Sequence, residues 1–443
     1  MSSIPPILPY PCDVCNSILK NRIFENTVGL VGGLGEVWYD GGMRESKVFL
    51  ARSGAMAFMF YTAFWGMASG CFMALVNNYL VEIHGYTTAD RGNLEMVREL
   101  PGLLLVFLLA PLARVPDWKV LRISAVIAML GVSSICLTGN SLLVALFIVV
   151  WSLGEHLHMP IRSTVAMSTA RPGMGGRALG IYSSFSNGGT LLGMLFVFFL
   201  FWAGNRFFAG TPSVRLYDVA WMATGALALI CALATFSSTV PQQISKRPRL
   251  YFHRKYRIFY GLELFYGARK QIFITFGPFV LIRVYGVDVK GMALLFCLSA
   301  VINMMVAPVV GRIIDRLGYR LVMIWDTIIL VVVCVLYGFA DDFFPKEIAL
   351  WVVCANFLFD AMISTTSMAT SLYVKDISRD SDEIAATLTT GISMNHLISI
   401  IIAPLGGLIW ECLGVGTLFV FSAVMGLANS CVAALLPRKQ GGG

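Results

Sequence analysis

Charge is scarce in this sequence. Of 443 residues only 13% are Asp, Glu, Lys or Arg, while 57% are hydrophobic and the mean hydropathy is +0.75. A soluble domain carries roughly a quarter charged residues, so the chain is built for a bilayer. Period-two alternation is also missing: the apolar runs, rich in Leu, Val, Ile and Phe, lack the dyad pattern of a transmembrane barrel. There is no GxxxxGK[ST] loop and no connection long enough for a nucleotide-binding domain, which excludes an ATP-driven pump. The cysteines form no paired framework; Cys71, Cys136, Cys231, Cys297, Cys334 and Cys354 stand singly in apolar runs and read as small core residues. Cys12 and Cys15 make a lone CxxC with no second pair or nearby His, too little for a zinc or redox site. The expectation is therefore no cofactor and no metal.

What is present is room for many helices. A span takes about 20 apolar residues, so twelve need roughly 240. Apolar runs place them at 51–82, 92–113, 119–138, 141–167, 176–203, 215–239, 257–284, 290–311, 320–340, 346–373, 383–411 and 416–436. Residues 1–42 contain Pro, Gly and Asn but no apolar run of the length a signal peptide requires, and read as an N-terminal extension.

The net charge of +8 points to topology rather than to nucleic acid. Alternate connections carry Arg44, Lys47 and Arg52; Arg114, Lys119 and Arg122; Arg171 and Arg177; Lys246, Arg247, Arg249, Arg254, Lys255 and Arg257; Arg312, Arg316 and Arg320; Lys375 and Arg379; and Arg438 and Lys439. The opposite connections hold only Arg91, Arg206, Arg215, Arg283, Lys290 and Lys346. The positive-inside rule then puts both termini in the cytoplasm of an integral multi-pass protein, with a plasma (inner) membrane expected.

The longest inner loop, Ser245 to Arg257, divides the chain into bundles at 43–240 and 257–443 joined by a linker at 241–256. The two look duplicated. YLVEIHGYTTADRGNL after the first span matches FVLIRVYGVDVKGMALL after the seventh, aligning Gly85 with Gly286, and Ala110-Pro111 returns as Ala307-Pro308. An internal repeat of this kind is the mark of a transporter.

GRIIDRLGYR, between the eighth and ninth spans, resembles the Gly-x-x-x-Asp-Arg-x-Gly-Arg-Arg signature of the major facilitator superfamily. Gly311, Asp315, Arg316, Gly318 and Arg320 match; Tyr319 departs. The corresponding loop of the first half, ARVPDWKVLR, keeps the position but not the spacing, and SNGGTLLG in span five lacks the Gly-Pro motif of the family's drug antiporters. The resemblance implies an all-α membrane fold of twelve helices in two pseudo-symmetric six-helix bundles. It also implies a secondary transporter, not an enzyme, working by alternating access, with Gly311, Asp315, Arg316 and Arg320 in a gating latch. Spans one, four, seven and ten would line its cavity.

Ionisable residues at membrane depth mark function, since a lipid-exposed cation costs about 2.5–3.5 kcal/mol even on the mildest scale. Arg269 and Lys270 lie adjacent in mid-span seven and are expected to face the cavity, favouring an anionic organic solute; a packing network of Glu263 with Lys270 is the alternative. Trp65, Tyr266, Gln271, Asn356 and Asn395 complete the expected solute contacts. Glu155, His156, Glu263, Asp360 and His396 are titratable at depth and are the expected proton-coupling groups. His156 and His158, two apart on a helix, diverge and make a poor metal pair. Glu95, Arg98 and Glu99 read as a salt-bridged gate element near the outer end of span two, Asp326 as structurally paired, and Gly188, Gly189 and Gly193 as a close helix approach. The expected partners are a small-molecule solute, protons and the lipid bilayer, the expected state a monomer. The other readings are an exporter of amphipathic drugs or lipids and, from another class, a receptor or membrane enzyme on a transporter-like fold.

Overall fold

The computed structural model describes residues 48–50, 52–172, 174–207, 213–236, 244 and 250–437. The 1–42 extension with Cys12 and Cys15, the basic residues Arg44, Lys47, Lys246, Arg247, Arg249, Arg438 and Lys439, and half of the 241–256 linker lie outside them.

The helices are α1 (Arg52–Glu82), α2 (Thr88–Leu103, resumed over Leu105–Leu109), α3 (Asp117–Ser134), α4 (Ser141–Thr169), α5 (Gly175–Phe207) and α6 (Ser213–Ala234) in the first half. The second half has α7 (Arg257–Arg283), α8 (Val289–Leu317), α9 (Tyr319–Gly338) and α10 (Lys346–Ser364, resumed over Met368–Ile377). A last helical run, Ser381–Ala433, is broken at Gly414, whose φ of 85° and ψ of 168° only glycine adopts without strain. It is a hairpin. Gly391 lies against Phe259 and Glu263, and Val432 lies against Gly261, so both ends of the run reach the start of α7. Its arms, 381–413 and 415–433, are α11 and α12.

Nine helical segments among the described residues are long and apolar enough to cross a membrane, the Ser381–Ala433 hairpin counting as one. Splitting it, and adding α2 and α7, gives the twelve. The first is interrupted after 16 residues and carries Arg91, Glu95, Arg98 and Glu99; the second is long enough but carries Glu263, Arg269 and Lys270. The most charged spans are thus the ones that neighbouring helices must shelter.

The duplication is visible in backbone geometry. Gly85 and Gly286 close α1 and α7 with φ of 64° and 68°. The hydrogen bonds around them match: Gly85 N to Val81 O (3.1 Å) and Tyr86 N to Leu80 O (3.0 Å), against Gly286 N to Ile282 O (3.1 Å) and Val287 N to Leu281 O (3.0 Å). Glycine is required because the turn needs the left-handed region. Thr87 and Asp288 then cap the next helices, accepting from Asp90 N and Gly291 N.

Aromatic residues fill the core of the first half, where Trp151, Trp221, Tyr61 and Tyr217 are fully buried. The second is packed around Phe276, Tyr337 and Phe419, with a smaller cluster of Tyr256, Phe259, Val374 and Leu436. At the start of α7, Lys255 bonds Glu383 of α11 at 2.7 Å, and that bond raises the Lys255 ammonium above its ordinary value. The halves join through α2 on α11: Gly92 lies against Ala403 and Pro404, and Gly407 against Thr88. They are tied at the end bearing the α1–α2 turn, where Arg283 donates to Tyr86 O (2.7 Å) and Asn78 to Val287 O (3.0 Å).

Helix α1 meets α5 through glycine on both sides. A Cβ on Gly66 would stand 2.1 Å from Ser186 O, and one on Gly189 or Gly193 would stand 2.0 Å from Ala63 O or 2.1 Å from Met67 O. Gly188 faces open space, so only two of the three glycines singled out in this helix make the approach. Overpacking costs about 1–3 kcal/mol, whereas Gly to Ala in an open helix position gains up to about 1 kcal/mol. Gly189→Ala should therefore lower the melting temperature of the purified protein and Gly188→Ala should hold or raise it.

Candidate functional site

The site begins with the capping box of α2, in which Thr87 and Asp90 bond reciprocally. This fixes the helix start and sets Arg91, Glu95, Arg98 and Glu99 on one side at three- and four-residue spacing. Glu95 is fully buried and accepts from Arg91 (2.7 Å) and twice from Arg98 (2.6 and 2.8 Å), which also reaches Glu99 at 2.7 Å. Arg91 Nε donates to Asn77 of α1 (3.0 Å). Burial this deep holds only because each carboxylate is met by a guanidinium.

This cluster crosses between the halves. Gln271 of α7 donates to Glu95 at 3.1 Å, and His396 Nδ1 of α11 lies 2.6 Å from Glu99 Oε2. His156 of α4 packs edge-on to His396 with ring centres 4.8 Å apart, and Glu155 comes within 3.9 Å of Arg98. The sequence pattern had put Glu95, Arg98 and Glu99 near the outer end of their span. The structure instead has them touching α4, α7 and α11, with His396 near the midpoint of its own arm, because α2 and α11 pack along their length. No sequence signal pairs Glu99 with a residue 297 positions away.

A second constellation surrounds Arg269, which is 3% exposed and bonds Asp326 of α9 at 3.1 Å. Tyr266 lies under its guanidinium at 4.9 Å, and Asp360 of α10 is in electrostatic range of both members of the pair. Arg269 thus turns to α9 instead of standing beside Lys270, since successive helical residues point about 100° apart. Lys270 is exposed, on the α7 face between Tyr266, which donates to Ser364 O of α10 (3.3 Å), and Gly267, which abuts Asn395 of α11. Glu263 accepts from Asn395 Nδ2 on that same side.

Other expected residues are dispersed. Trp65 is buried in the first half, stacked on His158 at 4.0 Å and on Trp151 at 6.0 Å, so His158 is turned away from His156. Asn356 is buried and donates to Val352 O (2.8 Å) in its own helix. Gly311, Asp315, Arg316 and Arg320 sit at the α8–α9 corner, with Arg320 less than two helical turns before Asp326 on α9. Gly318 turns that corner with φ 80°, and Arg320 donates to Leu436 O beyond α12 (3.1 Å). Asp315 and Arg320 line a cavity of about 890 Å³ there, with Lys375 and Asp376 opposite.

Residues 54–390 match the Major Facilitator Superfamily as a sequence family. The chain belongs to that superfamily. No curated protein sequence matches it. Among solved structures it resembles the nucleoside transporter NupG (TM-score 0.68, 13% identity, 86% of this chain and 98% of that one). It also resembles the xylose transporter XylE of E. coli in a partially occluded inward-open state (0.64, 14%, 88% and 99%). A third is a bacterial homologue of the human lysosomal transporter Spinster, inward-facing and unoccupied (0.63, 14%, 86% and 95%). At these identities the likeness is one of fold. Family membership makes this facilitator a secondary transporter that works by alternating access, with a small-molecule solute as its partner.

The Arg269 cluster holds two carboxylates to one guanidinium. Arg269→Leu would strand both, and removing one member of a buried pair costs about 3–5 kcal/mol. Unfolding in detergent should show that loss, and the double variant Arg269→Leu/Asp326→Leu should recover most of it.

Proposed function

We propose that the protein carries a small polar organic anion in symport with protons. The observation that carries the solute class is Lys270. It stands midway between Arg257 and Arg283, about 20 Å from either at 1.5 Å per residue. It is exposed, and among the described residues it has no ion pair. An ammonium at that depth is tolerated only in a water-filled chamber, and the carboxylate, phosphate or sulfonate of a solute is its natural counter-charge. Arg162 of α4, also exposed and free of an ion pair among the described residues, supplies a second cation from the first half. NupG and XylE, whose names denote nucleoside and xylose transport, are in keeping with a polar solute; Lys270 and Arg162 are what favour an anion.

Asp360 is the group we place on the proton path, with Glu263 beside the solute. The groups facing Asp360 are Arg269 and Tyr266 from α7 and Asp326, Cys334 and Tyr337 from α9. One guanidinium against two carboxylates leaves a surplus negative charge at membrane depth, which a proton cancels. The basic connections, Arg114, Lys119, Arg122, Arg171, Arg177, Arg312, Arg316, Lys375 and Arg379 among them, favour a cytoplasmic assignment for their face of a bacterial-type plasma membrane. The end tied by Arg283 and Asn78 is then the outer one. We take the working unit to be a monomer.

Thermal-shift screening of organic anions should find ligands that stabilise the protein and lose at least tenfold in affinity with Lys270→Gln. Stabilisation by neutral sugars or cationic amphiphiles alone, indifferent to Lys270→Gln, would overturn the anionic assignment and favour a sugar carrier or drug exporter. In proteoliposomes an acid exterior should drive accumulation of that anion. Asp360→Asn should abolish the response to the pH gradient while solute counterflow persists; accumulation that ignores the gradient in the unmodified protein rejects proton coupling.

A further inference from the structure

Glu99, His156 and His396 form a donor set that the solute path does not use. One ligand atom from each, a carboxylate oxygen and two imidazole nitrogens, lies within 4.8 Å of the other two. Three such ligands with a fourth position open are a familiar zinc-type arrangement. Tetrahedral bonds of that kind set ligand atoms roughly 3.3–3.6 Å apart, so small side-chain rotations bring the set to that spacing, with coordination replacing the 2.6 Å Glu99–His396 contact.

His156 is oriented for the task. Its Nδ1 lies 2.8 Å from Ser152 O. A carbonyl only accepts, so Nδ1 carries the hydrogen and the Nε2 lone pair is left bare. Metal-binding histidines are held in this way by a carbonyl on the other ring nitrogen. Ser152 Oγ in turn donates to Arg98 O at 2.6 Å, tying this shell to the helix that presents Glu99.

Space is provided as well. A Cβ at Gly102 would stand 2.7 Å from His156 Nε2 and 2.7 Å from His396 Cε1, so the absence of a side chain on α2 lets both rings converge beside Glu99.

We propose that Glu99, His156 and His396 bind a divalent transition-metal cation of the Zn²⁺ class, which staples α2 and α4 of the first half to α11 of the second. Because the two halves contribute separate ligands, the ion binds the conformation in which α2 and α11 are closed on each other and stabilises it over the others. Bound metal therefore slows the transport cycle.

The test uses the full-length protein in detergent, treated with chelator and titrated with Co²⁺ and with Zn²⁺. The expected results are visible d–d absorption of Co²⁺ in a four- or five-coordinate site and a single calorimetric Zn²⁺ site. Glu99→Gln, His156→Asn and His396→Asn should each weaken binding at least tenfold, and His84→Asn, at the α1–α2 turn, should not. His396→Cys restores a ligand and should regain Zn²⁺ binding, which separates loss of coordination from loss of folding. Absence of the Co²⁺ spectrum in the unmodified protein, or binding unchanged in all three variants, overturns the site. Zn²⁺ that binds there yet leaves solute counterflow unslowed overturns the staple. The metal readouts need neither solute nor gradient, so their failure is distinct from failure of the anion or proton assignments.

Discussion

Everything in this molecule depends on one constraint: a charge at membrane depth must meet a partner or water. The chain spends its few ionisable residues under that rule. Glu95 is fully buried because two guanidiniums reach it, and Arg269 is buried because Asp326 does. Lys270 obeys by the other route, remaining exposed between α10 and α11. Two of the three sets are closed on themselves and the third is open. That contrast separates groups that hold helices together from the one we propose for the solute.

The constraint also links the halves. An α2 carrying Arg91, Glu95, Arg98 and Glu99 is a poor membrane helix alone and needs neighbours that supply donors. Gln271 and His396 do so from the second half. The contact is made possible by small residues, with Gly92 and Gly407 letting the backbones of α2 and α11 approach. Any motion that parts the halves must break Glu99 from His396 and Glu95 from Gln271, or carry one partner along. An ion bound at that contact, as in the metal site we propose, acts on the equilibrium between conformations directly.

Much of the architecture was legible in the order of residues. Hydropathy marked the spans, Gly85 and Gly286 disclosed the repeat that both then show in φ, and Gly311 to Arg320 resembled the family that the sequence match establishes. Local spacing was a reliable guide within one helix, as with Glu95 and Arg98, and with the divergence of His156 from His158. It misled where two neighbours in sequence were read as neighbours in space. Arg269 and Lys270 form one dibasic pair on paper and two unrelated environments in the fold.

By itself the sequence determined that this is a membrane protein of twelve helices in two related bundles, because helix length, apolarity and turn chemistry are local properties. Only the tertiary structure decided which charges meet. Arg269 finds Asp326 across 57 positions and Glu99 finds His396 across 297, separations at which no periodicity carries information. Those pairings follow from which helix faces pack, and that is settled by glycine contacts and buried aromatic residues contributed by the whole chain.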